Sequence, residues 1–156
     1  MKGNWKKRLI AIAIPLGVGT LASLLTRGSM ADFEMMAKPP LSPPGWLFPV
    51  VWTILYALMG IASYLVYTSD APEKEKRTAL ILYGAQLLAN FLWPILFFGF
   101  EWYFVAFLWI IFLWALIVLT MLRFYRISAR AGDLLLPYLL WVTFAAYLNY
   151  GIWLLN

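Results

Sequence analysis

Three sets of residues in this 156-residue chain have the types and spacing to hold a ligand, and none has the make-up of an acid–base or metal centre. Gln86, Asn90, Trp93 and Phe97 recur at i, i+4, i+7 and i+11, one face of a helix. Trp141, Ala145 and Asn149 recur at i, i+4 and i+8, and Trp52 and Tyr56 at i and i+4. Indole and phenol rings beside neutral amides suit a cavity for a flat, largely apolar molecule, with the amides fixing its orientation. The same pattern also suits plain bundle packing, with amides bonding between helices, aromatics filling space and Ala145 permitting close approach. Spacing alone leaves both open. The chain has no Cys and no His. Disulfides, a thiolate nucleophile and Cys metal sites are therefore absent, as are the commonest general base, metal ligand and haem axial ligand. No metal site is expected, and most hydrolase and metalloenzyme mechanisms lack their usual groups.

The elements that must position these residues are membrane spans. Hydrophobic residues make up 64% of the chain and charged residues 12%, where a soluble domain carries about 25% charged. The apolar residues come in runs of about 20, the length that crosses a bilayer core. Runs are expected over 9–26, 45–68, 78–98, 102–122 and 133–155, the last opening on Asp133 as an N-cap after Gly132. The fold class is an all-α, five-transmembrane-helix bundle forming a single domain over 1–156. A basic start before an apolar run also describes a secretory signal peptide, which would leave four helices without inverting them.

Lys and Arg set the direction. Ten fall on the N-terminal side of the spans (Lys2, Lys6, Lys7, Arg8, Lys74, Lys76, Arg77, Arg123, Arg126, Arg130) and two, Arg27 and Lys38, on the other. The positive-inside rule then places the N-terminus inside and the C-terminus outside. The net charge of +5 is accounted for by topology and does not call for nucleic acid. Asp, Glu, Lys and Arg stay at helix ends, so an ion-coupled transporter or proton pump would lack its usual intramembrane groups. The longest connection, 27–42, lies on the outer side with Trp52, Tyr56, Asn90, Trp93 and Asn149, an arrangement expected of a pocket beneath a lid.

Three further blocks carry a resemblance. They are Lys38-Pro39 with Pro43-Pro44-x-Trp46 and Val51-Trp52-x-x-Leu55-Tyr56-x-x-Met59-Gly60; Gln86-x-x-x-Asn90-x-x-Trp93 running into Phe97-Phe98-Gly99; and Pro137-Tyr138-x-x-Trp141-x-x-x-Ala145-x-x-Leu148-Asn149. In this order, over nearly the whole chain, the sequence resembles the tryptophan-rich sensory protein or translocator protein family (TspO), also known as the peripheral-type benzodiazepine receptor family. The resemblance implies a five-helix bundle, commonly a homodimer, that binds porphyrins and synthetic aromatic ligands in a pocket closed by the first loop. It implies that Trp52, Asn90, Trp93, Trp141, Ala145 and Asn149 line or support that pocket. Tyr56 and Phe97 share their faces, and Arg27, Phe33, Lys38, Pro43 and Pro44 are the lid and propionate-binding candidates.

Some bacterial members are linked to light-dependent porphyrin breakdown, for which Trp52 and Trp141 would be the catalytic candidates. The expected function is a porphyrin-binding receptor or sensor, with no cofactor required, in a bacterial plasma membrane. The alternatives are a light-dependent porphyrin-degrading enzyme and a passive tetrapyrrole transporter. The sequence departs in three places, one from the animal members and two from the family's usual pattern. Leu154 stands where their cholesterol motif needs a basic residue, so cholesterol recognition is not expected. The third-helix dimer contact reads Ile81-x-x-x-Ala85, with Ala85 and Ala89 as a shifted small-residue pair. In the first loop, Asp32-Phe33 and Leu41 replace usual aromatic residues.

Overall fold

A computed structural model describes residues 4–26 and 35–156. Helix α1 covers Asn4–Leu25, α2 Leu47–Tyr67 and α3 Glu73–Pro94, which continues as a π-helical turn over Ile95–Gly99. Helix α4 covers Tyr103–Ile127, the short α5 Ala129–Leu134 and α6 Leu136–Leu155. No strand occurs among the described residues. Five segments are long and apolar enough to cross a bilayer: Trp5–Leu25, Leu47–Tyr67, Glu73–Gly99, Tyr103–Ile127 and Ala129–Leu155. The chain is an all-α integral membrane protein whose outer surface meets lipid. Alternating helix direction gathers Lys7, Arg8, Lys76, Arg77, Arg126 and Arg130 at one end, the basic end. The opposite end, the loop end, holds the connection from α1 to α2 and the finish of α6.

Several helix ends differ from the sequence expectation for identifiable reasons. Helix α1 starts before Leu9 because its basic residues find partners along the bundle. The Lys7 ammonium lies 5.8 Å from the Tyr67 ring and the Arg8 guanidinium 5.3 Å from that of Tyr64, so the charged heads sit over aromatic faces at the basic end. Asp133 is not an N-cap. Ser128 takes that role, extended at φ −153° and ψ 119°, its side chain accepting from the Ala131 N–H. Asp133 lies inside α5 and accepts the Tyr125 hydroxyl at 2.6 Å. Pro137 accounts for the break between α5 and α6, since it cannot donate to the carbonyl four residues back and its ring crowds that carbonyl. Pro94 acts likewise at the far end of α3. With no N–H for Asn90 to receive, the helix widens into the π turn, closed by Phe100 N–H on Ile95 O (3.0 Å) and Trp102 N–H on Leu96 O (3.0 Å).

Small residues set how closely the spans approach. At Gly60 an added Cβ would lie 2.5 Å from Ile12 Cα and 2.7 Å from Ala11 O, so α1 and α2 touch backbone to backbone. Ala89 is buried, and its carbonyl accepts the Trp109 indole N–H of α4 at 2.8 Å. It therefore faces α4, and Ala85–Ala89 is not an outward pair. The small residues that α3 exposes are Gly84 and Ala85. Helix α2 packs along α1 and onto α5 rather than lengthwise on α6. That divergence leaves space between them.

Gly60→Ala is expected to lower stability by about 1–3 kcal/mol, because the obstructing atoms are backbone and cannot turn aside. Gly17→Ala, where a Cβ meets nothing within 4 Å, should leave the melting temperature in detergent unchanged or slightly raised. Equal melting of the two variants would show that α1 is not seated on Gly60.

Candidate functional site

The space between the diverging helices is a cavity of about 430 Å³ walled by α1, α2, α3 with its π turn, and α6. All eight residues expected to line a pocket do so: Trp52, Tyr56, Asn90, Trp93, Phe97, Trp141, Ala145 and Asn149. Three sequence patterns, separated by up to 97 positions (149 − 52), thus share one wall. Of the lid candidates, Lys38, Pro43 and Pro44 are not among the lining residues, whereas neighbouring Gly45 and Phe48 are. Arg27 and Phe33 lie outside the described residues.

The side chains are fixed by neutral hydrogen bonds with a defined direction. The Tyr56 hydroxyl donates to Asn90 Oδ1 (2.7 Å), and Asn90 Nδ2 donates to the Tyr138 oxygen (2.8 Å). The Tyr138 hydroxyl then donates to Gln86 Oε1 (2.7 Å). One amide therefore joins α2, α3 and α6. Nearer the loop end, the Trp93 indole donates to Asn149 Oδ1 (3.0 Å), and Asn149 Nδ2 donates to Tyr103 O (2.8 Å). The orientation of the Asn149 amide follows from its partners, since an indole N–H only donates and a carbonyl only accepts. Ring contacts complete the wall. Trp52 stacks on Tyr56 at 5.5 Å and meets Tyr138 edge-on at 6.2 Å; Trp93 stacks on Phe97 at 5.1 Å; Phe48 meets Trp141 edge-on at 5.8 Å.

Two buried side-chain donors have no partner among the described residues, Trp141 Nε1 and Gln86 Nε2. An unmet buried donor costs about 1–3 kcal/mol. Trp141 matters most here, since its indole is part of the cavity wall. Among the described residues the lining contains no Asp, Glu, Lys or Arg. The site can stack on a flat apolar ligand and hydrogen-bond to it, and its described lining offers no charged general acid or base.

Sequence reasoning missed the contribution of α1, which supplies Leu16, Gly19, Thr20 and Ser23 to the lining. The available signal was Gly17-x-Gly19 followed by Thr20 and Ser23, small and polar residues within an otherwise aliphatic run. Gly19 is needed because a Cβ there would overlap the Tyr56 ring. Phe48 was also missed; it lies one turn before Trp52 on the same helix face.

Tyr138→Phe tests the network directly. It keeps the ring but strands Asn90 Nδ2 and Gln86 Oε1, a cost of about 1–3 kcal/mol. Trp114→Phe removes only a bond to Thr143 near the surface and should cost under about 1 kcal/mol. Thermal unfolding of the two variants gives the comparison, and equal losses would mean that the buried amide does not organise the bundle.

Residues 11–154 match the model of the TspO/MBR family. The chain is 40% identical over 148 residues to the tryptophan-rich protein TspO of Chlorobaculum tepidum, covering 94% of each. It is 37% identical to the tryptophan-rich sensory protein of Cereibacter sphaeroides, covering 100% of this chain and 95% of the relative. It is 36% identical to the translocator protein of Ovis aries, covering 98% and 92%. The five spans, the aromatic wall and these matches coincide along the chain, which belongs to the TspO/MBR family of tryptophan-rich sensory and translocator-type membrane proteins.

Proposed function

We propose that the cavity binds a tetrapyrrole of the protoporphyrin class, or another flat aromatic molecule, and that the chain acts as its membrane receptor or sensor. The observation that carries this reading is the lining itself, where Trp52, Trp93, Phe97 and Trp141 stand beside the amides Asn90 and Asn149. The ring face of the ligand meets Trp52, Trp93, Phe97 and Trp141. The cavity volume of about 430 Å³ lies within the range of pockets for drug-sized ligands, roughly 300–1,000 Å³. Carboxylates on the ligand are directed to the loop end, whose connection carries Arg27 and Lys38. No cofactor is required in this scheme.

The basic end faces the cytoplasm by the positive-inside rule, and the membrane is a bacterial plasma membrane. A second copy of the chain pairs through the exposed face of α3 at Gly84 and Ala85. A light-dependent oxidative breakdown of the bound porphyrin by dioxygen, the porphyrin being oxidised and Trp52 and Trp141 serving as redox-active residues that are not consumed, is a second reading. It is favoured by the ring contacts of Trp52 with both Tyr56 and Tyr138.

Titration of detergent-purified protein with protoporphyrin in the dark should give saturable quenching of tryptophan fluorescence. Trp141→Phe and Asn90→Ala should each weaken binding by about tenfold, equivalent to about 1.4 kcal/mol, and Trp114→Phe should not. Absence of saturable quenching sinks the binding reading. Metal-free protoporphyrin should bind at least as well as haem, because the chain has no His or Cys and no Met lines the described cavity. Under illumination, loss of porphyrin absorbance that slows in the Trp52→Phe, Trp141→Phe double variant would favour the enzyme, and an unchanged rate would remove those residues from the chemistry.

A further inference from the structure

The seam between the diverging helices α2 and α6 is closed by side-chain rings. Phe48 meets Trp141 edge-on at 5.8 Å, and Trp52 meets Tyr138 edge-on at 6.2 Å. Beside this seam lies a second hollow, an apolar groove lined by Val51, Ile54 and Leu55 of α2 and by Leu140, Trp141 and Phe144 of α6. Ile54 is 55% and Leu140 61% exposed, so the groove opens on the outer surface of the bundle. Both residues lie about 10 Å or more inside their spans, Leu47–Tyr67 and Ala129–Leu155, at 1.5 Å per residue. The groove is therefore level with the hydrocarbon of the bilayer, and not with its headgroups.

Among the described residues, groove and cavity share one side chain, Trp141. Its indole is the partition between lipid and cavity. The other indoles that bridge the spans are tied in place. Trp93 donates to Asn149 Oδ1 at 3.0 Å, Trp109 to Ala89 O at 2.8 Å and Trp114 to Thr143 Oγ1 at 2.8 Å. Trp141 Nε1 has no such partner among the described residues. Turning this ring breaks no hydrogen bond and gives up ring contacts with Phe48 and Phe144.

We propose that the α2–α6 seam is a side portal through which a flat apolar molecule dissolved in the bilayer passes between lipid and cavity, with Trp141 as the ring that turns to admit it. At rest the groove holds lipid hydrocarbon, which surrounds a span at this depth. The route suits the ligand class, since a large planar aromatic molecule partitions into hydrocarbon and reaches such an opening without returning to water. The identity of the passing molecule rests on the binding function proposed above; the contact of lipid with Trp141 does not. Ile54 and Leu140 flank the path without lining the cavity, so bulk added there obstructs passage and leaves the site itself intact.

The test uses full-length protein in phosphatidylcholine vesicles, with protoporphyrin binding followed by the porphyrin's own fluorescence. Ile54→Trp and Leu140→Trp should each slow association and dissociation about tenfold and leave affinity unchanged, because a plug raises the barrier equally in both directions. Ile111→Trp, at an exposed position on α4, should change neither rate. Exchange rates in both plugged variants equal to the parent's overturn the portal and send the ligand by the loop end. A change of affinity with unaltered association overturns it as well, since the added bulk would then act on the site. Vesicles of phosphatidylcholine brominated on its acyl chains supply a second arm, because bromine quenches indoles that hydrocarbon touches. The share of emission removed by Trp141→Phe should be quenched in the parent, and an unquenched share overturns the portal without reference to any ligand. If the parent binds no protoporphyrin, the binding function and the passage claim fall together, while the brominated lipid still decides whether hydrocarbon reaches Trp141.

Discussion

The Asn90 side chain is the constraint on which the arrangement of helices and cavity depends. Its oxygen is occupied by the Tyr56 hydroxyl, so its nitrogen must donate, and the Tyr138 oxygen is where it does so. Tyr138 is then left with a proton to give, which Gln86 receives. One amide orientation thus propagates through three spans. Within a bilayer the hydrophobic effect does not drive helices together, and association rests on packing and on hydrogen bonds of modest individual worth, about 0.6 kcal/mol on average. A directional chain of three such bonds selects one relative placement of α2, α3 and α6 among several that lipid would tolerate equally.

That placement holds α2 and α6 at a distance instead of packing them along their length. Phe48, Trp52, Tyr138 and Trp141 close the gap with rings, not with backbone contact. The cavity follows from this choice. Two of its polar groups, Asn90 and Asn149, are the same amides that bind the helices to one another, so packing and ligand-lining are two roles of these residues.

The spans were legible in the sequence because hydropathy and length are properties of the chain itself, and the lining was legible because helical spacing carries through unbroken helices. Trp52 with Tyr56, Asn90 with Trp93, and Trp141 with Asn149 each needed only the period of a helix. What depended on another helix stayed hidden. Ala89 has the size of an interface residue, and only the position of α4 turns it inward. Gly19, Gly60 and Gly151 look alike in sequence, yet one makes room for a tyrosine ring, one for a backbone and one for a proline. Asp133 has the type and place of an N-cap, but Ser128 reaches the free N–H first and Pro137 relocates the break. The π turn after Pro94 was implicit in the lost N–H, although the proline alone does not say whether a helix kinks, ends or widens.

The absence of charge from the described lining bears on how such a site can discriminate. A buried carboxylate or ammonium would select ligands by charge and titrate with pH, at a desolvation cost that a bilayer makes steep. Amides and indoles avoid that cost, since they are neutral at every physiological pH and their hydrogen bonds need no counter-ion. Selection falls to shape and to the few places where a donor waits for an acceptor. Large rigid aromatic walls serve this well, because each ring contributes much contact area while losing few rotamers. A wall of that kind discriminates only while its rings stay in place. For this reason the directional network behind Tyr56 and Tyr138, and the glycine that seats Tyr56 against α1, belong to the recognition surface as much as the rings a ligand would touch.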